Sequence, residues 1–445
     1  MNRIKIALAG VFLVLTALWL LADSFAPQPF TYFRFRDVFI QYTGVLAIGA
    51  MSLALLLALR PRRLEPLLDG LDKMYRLHKW LGISALVLAV VHWWFAQGTK
   101  WMVGWGWLTR PARGPRGAPP DTATLEGWLR AQRGLAESLG EWCFYAAAVL
   151  IVLALVKRFP YHLFAKTHTL LAPVYLVLVF HAAVLVRFAY WSQPLGWVLA
   201  LLLAAGSVAA LLALFGRIGA GRKTQGGIEF LQHYPGLDVL EMRIALEPGW
   251  PGHAAGQFAF VCSDQREGAH PYSIASAWNP RDPHLTIIAK ALGDHTARLR
   301  HSLQVGTPVT VEGPYGCFDF EDGLPRQIWV GAGIGITPFV GRMKQLAAQG
   351  HANAIDLFHP TSVHEPAAIA KLTADAEAAG VRLHLLSGAQ DGRLDGDRIR
   401  AAVPDWRDAS LWFCGPAAFG QSLRADFLAH GLPPARFHQE MFQMR

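Results

Sequence analysis

Four histidines occupy matched positions in two long apolar segments of the sequence. His78 and His92 lie near the two ends of the third of six such segments, and His168 and His181 lie near the two ends of the fifth. Each pair is separated by about 20 Å of helix. Polar side chains within a membrane span are costly and mark functional sites. Because imidazole is an axial ligand of haem iron, the pattern favours two stacked haems, one held by His78 and His168 and the other by His92 and His181.

The rotational phase of the four histidines differs between the two segments. A step of 14 residues brings His92 to within about 40° of His78, whereas a step of 13 residues leaves His181 about 140° from His168 on an ideal helix. Pro173 lies between the latter two and can kink and re-phase the helix. The alternative is that the histidines are structural residues at the membrane interface. No Cys-x-x-Cys-His motif is present, so the predicted haems are non-covalent and of the b type.

Six apolar segments are long enough, or nearly so, to cross a membrane. They cover residues 6–22, 38–59, 77–96, 142–156, 167–186 and 195–215. The fourth is short, and the first is also compatible with a signal peptide that would be cleaved near Ser24-Phe25-Ala26. The sequence therefore predicts a six-helix transmembrane domain over residues 1–217.

The distribution of basic residues predicts the orientation of these helices. The chain has a net charge of +9, 53% apolar residues and only 16% charged residues. Lysine and arginine are more numerous in the loops that share a side with the N-terminus, and most of the others lie in one long loop, residues 97–141. Positive charge favours the cytoplasmic side. We therefore expect both ends inside the cell, in a multi-pass protein of the inner (plasma) membrane, and no nucleic-acid partner.

The remainder of the chain has the composition of soluble protein. Residues 216–227 are rich in glycine and basic residues, which is typical of a flexible linker. Short β-rich runs separated by turn residues then predict a β-barrel domain over 218–322. Strand-like runs alternate with alanine-rich helical stretches over 323–445, which predicts a parallel α/β domain.

A first candidate cofactor motif follows the strand-like run at residues 255–261. It consists of His270, Pro271, Tyr272, Ser273 and, three residues later, Ser276. An aromatic ring and a hydroxyl at adjacent strand positions can stack on an isoalloxazine ring and hydrogen-bond its edge. The motif indicates a flavin site.

Phosphate-binding candidates come shortly after this motif. Lys290 is followed by Gly293-Asp294-His295-Thr296, whose glycine amide and threonine hydroxyl could hold a pyrophosphate.

A second glycine-rich motif directly follows the strand-like run at 327–330. Its members are Gly331, Gly333, Gly335, Thr337 and Pro338. These glycines allow a phosphate to approach the backbone where a helix begins. It differs from the dinucleotide motif GxGxxG because isoleucine occupies position 336.

Cys414, Gly415 and Pro416 follow the last clear strand-like run. A thiol at that position can face a nicotinamide ring, although Cys414 is also compatible with a small buried residue.

Together these motifs resemble the ferric reductase / NADPH oxidase superfamily over nearly the whole chain. The membrane half resembles its bis-haem helical core, including the steps of 14 and 13 residues, and the soluble half resembles ferredoxin–NADP reductase-type dehydrogenases. The segment from Phe437 to Phe442 resembles the family's closing segment, whose aromatic residue covers the flavin. The resemblance implies FAD, NAD(P)H and two b-type haems as cofactors, with catalytic roles for Cys414 and Phe442.

The function that we expect is electron transfer across the membrane, from cytosolic NAD(P)H through FAD and the two haems to an acceptor at the outer face. A ferric chelate is the first choice of acceptor, and dioxygen reduced to superoxide is the close alternative. Two other possibilities are a flavin reductase with the membrane half as an anchor, and a transporter or receptor. The second α/β strand ends with the hydroxyl residues Thr361 and Ser362 but has no nearby arginine to hold a 2′-phosphate, so the choice between NADPH and NADH stays open.

Overall fold

The computed structural model describes residues 2–109, 121–156, 158–350, 353–388 and 391–440. The chain divides into two compact units. One comprises the chain up to Leu64 together with Lys73–Ile218, and the other comprises Glu65–Asp72 and the chain from Gly219 onward.

The described residues up to Ile218 are mainly helical, and six helical segments among them are long and apolar enough to span a membrane, as predicted. The helices are α1 (Asn2–Ala22), α2 (Tyr32–Ala58), α3 (Glu65–Leu68), α4 (Leu71–Trp93), α5 (Thr99–Gly104), α6 (Leu125–Ala131), α7 (Arg133–Leu155), α8 (Tyr161–Thr169), α9 (Leu171–Leu185) and α10 (Pro194–Leu214). The fourth span is longer than the apolar run that predicted it, since α7 begins at Arg133. Arg133 pairs with Glu137 one turn later at 2.9 Å, and such pairs stabilise a polar first turn.

The fifth span is broken into two helices at Leu170. Pro173 has no N–H to donate to the carbonyl of Thr169, four residues earlier, and its ring crowds that carbonyl. Helix α8 accordingly ends at Thr169, and α9 begins at Leu171. The break lies one turn before the proline, between His168 and His181.

The core of the helical unit combines aromatic and small residues. Trp19 and Tyr175 are completely buried, and the Tyr175 hydroxyl lies 2.7 Å from Ser52 Oγ. A Cβ at position 206 would lie 2.1 Å from that hydroxyl, so only glycine allows this approach. Leu201 and other apolar side chains stay exposed on the outer faces, as expected of surfaces that contact lipid.

The second unit begins with a six-stranded antiparallel sheet. Its strands are β1 (Lys223–Tyr234), β2 (Val239–Leu246), β3 (Phe258–Cys262), β4 (His270–Ser273), β5 (His284–Lys290) and β6 (Pro308–Tyr315), in the order β4-β3-β6-β1-β2-β5. The two edge strands approach each other through a single bridge between Ile274 and Ile287. Among the described residues the sheet is therefore not the closed barrel that was predicted, because β4 is too short to form a ladder with β5.

The predicted linker is shorter than its composition suggested. Strand β1 already begins at Lys223 and pairs with β6 from that residue onward. Gly226 lies within the strand, where a Cβ would be 2.5 Å from the carbonyl oxygen of Ala245. The glycine that indicated flexibility instead allows two strands to approach closely.

The last part of the second unit is a five-stranded parallel sheet flanked by helices, as predicted. Its strands are β7 (Arg326–Gly331), β8 (Ala354–Thr361), β9 (Arg382–Ser387), β10 (Ser410–Cys414) and β11 (Phe437–Glu440), in the order β11-β10-β7-β8-β9. The helices described after Gly219 are α11 (Asp294–Ser302), α12 (Thr337–Gln349), α13 (Pro366–Ala378), α14 (Gly396–Ala402) and α15 (Ala417–Ala429). The strand order reverses between β7 and β10, and ligands of open α/β sheets bind at such a point, beyond the carboxyl ends of the strands.

Candidate functional site

The four intramembrane histidines form two pairs. The ring centroids of His78 and His168 are 5.8 Å apart, with the rings inclined at 67°. Those of His92 and His181 are 6.3 Å apart and inclined at 73°. A metal ion that bonds one nitrogen of each ring at about 2 Å separates two imidazole centres by roughly 6 Å. Both pairs therefore have the separation that an iron atom between them requires.

Hydrogen bonds orient three of these four imidazole rings. The Nδ1 atoms of His78, His92 and His181 lie 2.8, 3.0 and 2.8 Å from main-chain carbonyl oxygens of Ala54, Ile40 and Ala136. A carbonyl can only accept, so each Nδ1 carries the proton and donates it. The lone pair is then on Nε2, which is the state that a metal-ligating histidine adopts. The side chains present fit haem at both levels.

The predicted flavin motif lies on strand β4, beside β3. Ser273 pairs with Phe258 in the ladder between these strands and is only 6% exposed. Within the described part of the chain, its buried Oγ has no hydrogen-bond partner. A buried hydroxyl without a partner is costly, and the edge of a flavin ring would supply one. The residues present therefore fit the predicted flavin.

Tyr272 and His270 are linked to the segment that was predicted to hold pyrophosphate. His295 Nε2 lies 3.2 Å from the Tyr272 hydroxyl, and the imidazoles of His295 and His270 stack with centroids 3.7 Å apart. Burial, reinforced by His295, lowers the pKa of His270 to about 4. Burial likewise raises the pKa of Tyr272. Both side chains are therefore uncharged at neutral pH.

Glu267 completes a group with His270 and His295 whose ligand atoms lie within 4.8 Å of one another. An imidazole binds a metal within the plane of its ring, at about 2 Å. The two rings are inclined at only 8° and stack face to face. Their lone pairs therefore lie in nearly parallel planes and do not converge on one ion, so this group is better suited to surrounding a ligand than to holding a metal.

The other predicted flavin residues have structural partners. Pro271 pairs with Phe260 on β3. Ser276 Oγ accepts a hydrogen bond from the Thr286 N–H at 3.0 Å, and the Ser276 carbonyl accepts from His253 Nε2 at 3.0 Å. Burial lowers the pKa of His253 to about 4. These bonds hold the end of the motif against the sheet.

Gly293 and Thr296 are hydrogen-bonded to each other at the start of α11. The Gly293 N–H donates to Thr296 Oγ1 at 3.1 Å, and the Leu292 N–H donates to the same oxygen at 3.0 Å. The predicted pyrophosphate partners are thus engaged in a helix cap in this structure. Lys290 lies at the end of β5 and lines a cavity of about 1130 Å³.

The glycine-rich motif forms the turn between β7 and α12. Gly333 has a φ of +57°, and Thr337 Oγ1 donates to the Ile334 carbonyl at 2.8 Å. A Cβ at Gly335 would lie 2.2 Å from the carbonyl oxygen of Cys414. Pro338 occupies the first turn of α12, where its missing N–H is not needed.

The turn after β10 packs against this glycine turn. Gly415 has a φ of +156°, and a Cβ there would lie 2.8 Å from the Cβ of Ala332. Gly331 pairs with Cys414 across the sheet, so both predicted nucleotide motifs meet where the strand order reverses. Gly333 and Pro416 line the cavity of about 1130 Å³.

Cys414 itself is completely buried and belongs to the hydrophobic cluster that contains Trp329 and Trp412. The second candidate catalytic residue, Phe442, lies outside the described residues. The preceding segment forms strand β11, which extends the parallel sheet beside β10.

Several residues of these sites were not found from the sequence. His253 and Glu267 were missed because isolated polar residues in loops give no periodic signal. Arg393 lines the cavity together with Thr361 and Ser362, although it is distant from them in the sequence. The absence of a nearby arginine after the second strand was therefore an incomplete guide to the cavity.

Two regions of the chain match families of known proteins. Residues 43–179 match the model of the ferric reductase like transmembrane component, and residues 229–318 match the model of an FAD-binding domain. The first region contains His78, His92 and His168, and the second contains the flavin motif at 270–276 together with Lys290, Gly293 and Thr296. Together the two matches support the ferric reductase / NADPH oxidase superfamily. The chain is accordingly a multi-pass membrane protein, with the six spans found in its helical unit.

Individual relatives are similar to this chain over only part of the relatives' own length. It is 31% identical to an NADPH oxidoreductase of Mycobacterium tuberculosis over 38% of this chain and 48% of the relative. It is 30% identical to respiratory burst oxidase homolog protein E of Arabidopsis thaliana over 42% of this chain and 22% of the relative. It is 28% identical to the ferredoxin–NAD(+) reductase component of the alkene monooxygenase system of Xanthobacter autotrophicus over 44% of this chain and 63% of the relative. The chain thus spans less than two thirds of each of these relatives.

Proposed function

We propose that this protein is a transmembrane oxidoreductase that takes electrons from cytosolic NAD(P)H and delivers them, by way of FAD and two b-type haems, to a ferric chelate at the outer face of the plasma membrane. The proposal assigns residues 1–217 to the membrane domain, 218–322 to the FAD domain and 323–445 to the NAD(P) domain. When bound, the flavin converts a two-electron donor into single electrons, and the haems carry one electron each.

The observation that supports this proposal most strongly is the pairing of the histidines. Two pairs at separations of 5.8 and 6.3 Å, three of whose rings are tautomerically fixed by carbonyl oxygens, are more than a membrane anchor requires. Transporters and receptors need neither such pairs nor a dehydrogenase. In this proposal His78 and His168 serve the inner haem, and His92 and His181 serve the outer haem.

The chain's residues would have distinct tasks at the soluble sites. The orphan hydroxyl of Ser273 would donate to the edge of the flavin ring, and Tyr272 would contact its face. The glycines of the turn after β7 would allow the nucleotide phosphates to approach the backbone. Cys414 and Phe442 are proposed to border the nicotinamide and the flavin.

The orientation and the choice of acceptor are part of the same proposal. Basic loops favour a cytoplasmic location for the dehydrogenase, where NAD(P)H is available. If His92 and His181 both held the outer haem, that haem would supply its electron to an acceptor that does not itself bind the iron. A ferric chelate meets that condition, and dioxygen is the competing acceptor.

The first test is the haem content of purified full-length protein. We expect a pyridine haemochrome ratio near two haems per chain, and a loss of haem in His92→Leu and in His168→Leu. His430→Leu is the matched control, because this histidine is exposed in the second unit. Full haem content in both test variants would refute the assignment.

The second test is the sidedness of turnover in sealed vesicles. Inverted vesicles should oxidise added NAD(P)H, and right-side-out vesicles should not, because the nucleotide cannot cross the membrane. His92→Leu should abolish acceptor reduction yet leave flavin reduction intact. Survival of acceptor reduction would mean that the membrane half is an anchor. Anaerobic turnover with ferric citrate, compared with superoxide formation in air, distinguishes the two acceptors.

A further inference from the structure

The two outer histidines bind the backbone in the same way, on two different helices. His181 Nδ1 donates to the carbonyl of Ala136 in α7 at 2.8 Å, and His92 Nδ1 donates to the carbonyl of Ile40 in α2 at 3.0 Å. Both carbonyls belong to the interior of a helix, where each already accepts the N–H of the residue four positions later. The imidazole is therefore an additional donor to an occupied carbonyl. The Ile40 carbonyl also accepts from Thr43 Oγ1 at 3.2 Å, and that hydroxyl lies 3.3 Å from His92 Nδ1.

Glycine occupies the position four residues after each of these carbonyls. It is Gly140 in α7 and Gly44 in α2. In a helix the Cα–Cβ bond tilts toward the N-terminus, so a side chain lies over the turn that precedes it. A side chain at either position would cover the side of the carbonyl that the histidine reaches.

A Cβ at either position would lie close to the imidazole ring of the histidine. A Cβ at position 140 would lie 2.0 Å from Nδ1 of His181 and 2.4 Å from its Cε1. A Cβ at position 44 would lie 3.3 Å from Nδ1 of His92 and 3.2 Å from its Cε1. The first distance excludes any other residue unless the ring moves, and the second requires a small displacement.

The hydrogen bond of His78, in the inner pair, does not involve a glycine. His78 Nδ1 donates to the carbonyl of Ala54 at 2.8 Å, and the residue four positions later is Ala58. Helix α2 ends at Ala58, so this carbonyl lies near the end of the helix, and the Cβ of Ala58 does not prevent the hydrogen bond. A glycine opening is thus found for both outer rings and is not needed at the inner ring.

We propose that Gly140 and Gly44 are positioning residues for the outer histidine pair, because each opens a helix carbonyl to the Nδ1–H of a histidine and so directs Nε2 toward a haem iron. This inference rests on the proposed function. Partners of this kind hold the ring orientation and raise the basicity of the ligand. Loss of the hydrogen bond should therefore release the outer haem or raise its reduction potential, and should leave the inner haem unchanged.

The test compares four alanine variants of the full-length protein. Gly140→Ala and Gly44→Ala are the test variants. Gly134→Ala, in the same helix as Gly140, and Gly10→Ala, in α1, which carries none of the four histidines, are matched controls, since a Cβ at either position meets no atom within 4 Å. The readouts are the haem-to-protein ratio, a potentiometric titration that resolves two one-electron steps, and the FAD content as a check on folding.

We expect Gly140→Ala to contain one haem per chain and both controls to contain two. Gly44→Ala should retain two haems but show one potential shifted to a more positive value, with about 10- to 100-fold weaker binding of that haem. If Gly140→Ala does not fold, Gly44→Ala decides the question. Wild-type haem content and potentials in Gly44→Ala, or equal losses in the controls, would overturn the inference. A wild-type protein without haem would overturn the proposed function instead, and this inference with it.

Discussion

Substitution of Pro173 by alanine should move His168 away from His78 and leave His92 and His181 paired. The proline ends α8 at Thr169 and so re-phases His168 relative to His181. On an uninterrupted helix the step of 13 residues would leave these two side chains about 140° apart. With the ring about 5 Å from the helix axis, that rotation moves it by roughly 9 Å. The displacement exceeds the present separation of 5.8 Å between the rings of His78 and His168.

The magnitude follows from the helix propensity of the two residues. Alanine is favoured over proline by about 3 kcal/mol in a helix interior, and that free energy becomes available for straightening the span. Binding of the inner haem must then oppose it, so its affinity should fall by up to about two orders of magnitude, at 1.4 kcal/mol for each factor of ten.

The assay is haem titration of purified full-length Pro173→Ala, followed by potentiometry. We expect one weakened site and one site with wild-type affinity, the second being an internal standard. Pro194→Ala is the matched control, because Pro194 begins α10, where proline disturbs no helical hydrogen bond. Two sites with wild-type affinities and potentials in Pro173→Ala would refute the argument that the proline sets the phase of His168.

Three further outcomes are expected in the soluble unit. Ser273→Ala should weaken FAD binding or slow flavin reduction, by about 0.5–1.5 kcal/mol for the lost hydrogen bond, measured by fluorescence titration and stopped-flow kinetics. The pKa of buried His253 is lowered to about 4. The stability that depends on its neutral form is therefore complete above about pH 6.5 and is lost as the pH falls toward 4. We expect the temperature of flavin release to depend less on pH in His253→Gln than in the wild type. Arg393→Ala should raise the KM for NADPH more than that for NADH, by about tenfold or more if a charge-assisted hydrogen bond is lost.

Each of these outcomes has a result that contradicts it. Unchanged flavin affinity and hydride transfer would show that Ser273 does not touch the ring. An identical pH profile in His253→Gln would mean that another group governs stability between pH 4 and 6.5. Equal changes in KM for both nucleotides would show that Arg393 does not recognise the phosphate that distinguishes them.

The five-stranded parallel sheet and its helices show what local sequence patterns can predict. Alternating strand-like runs and alanine-rich helices predicted the parallel sheet, and the structure confirms it, because burial on both faces leaves a strong local signal. The glycine turn after β7 was identified as well. Its contact with the turn after β10 was not foreseen, since a 2.2 Å approach between Gly335 and the Cys414 carbonyl depends on the order of strands in the sheet.

In the six-stranded antiparallel sheet, local patterns predicted the strands but not how the sheet ends. Its strands were anticipated, but a closed barrel was expected where the described edges meet through one bridge. Closure depends on strand length and stagger across the whole sheet, and neither has a signature in a single run. The glycines near the start of β1 likewise indicated a linker, because composition does not distinguish freedom of the backbone from close packing against another strand.

By itself, the sequence determined the six apolar spans, the depths of the four histidines, and the chemistry of the motifs, because length, hydropathy and residue type act locally. The tertiary structure decided which side chains face one another. It placed the helix break at Leu170 and brought His168 opposite His78. It also brought carbonyls of α2 and α7 to the outer histidines, across glycines whose role no periodicity reveals. Such contacts join residues far apart along the chain, and their distances depend on how helices pack rather than on what any one helix contains.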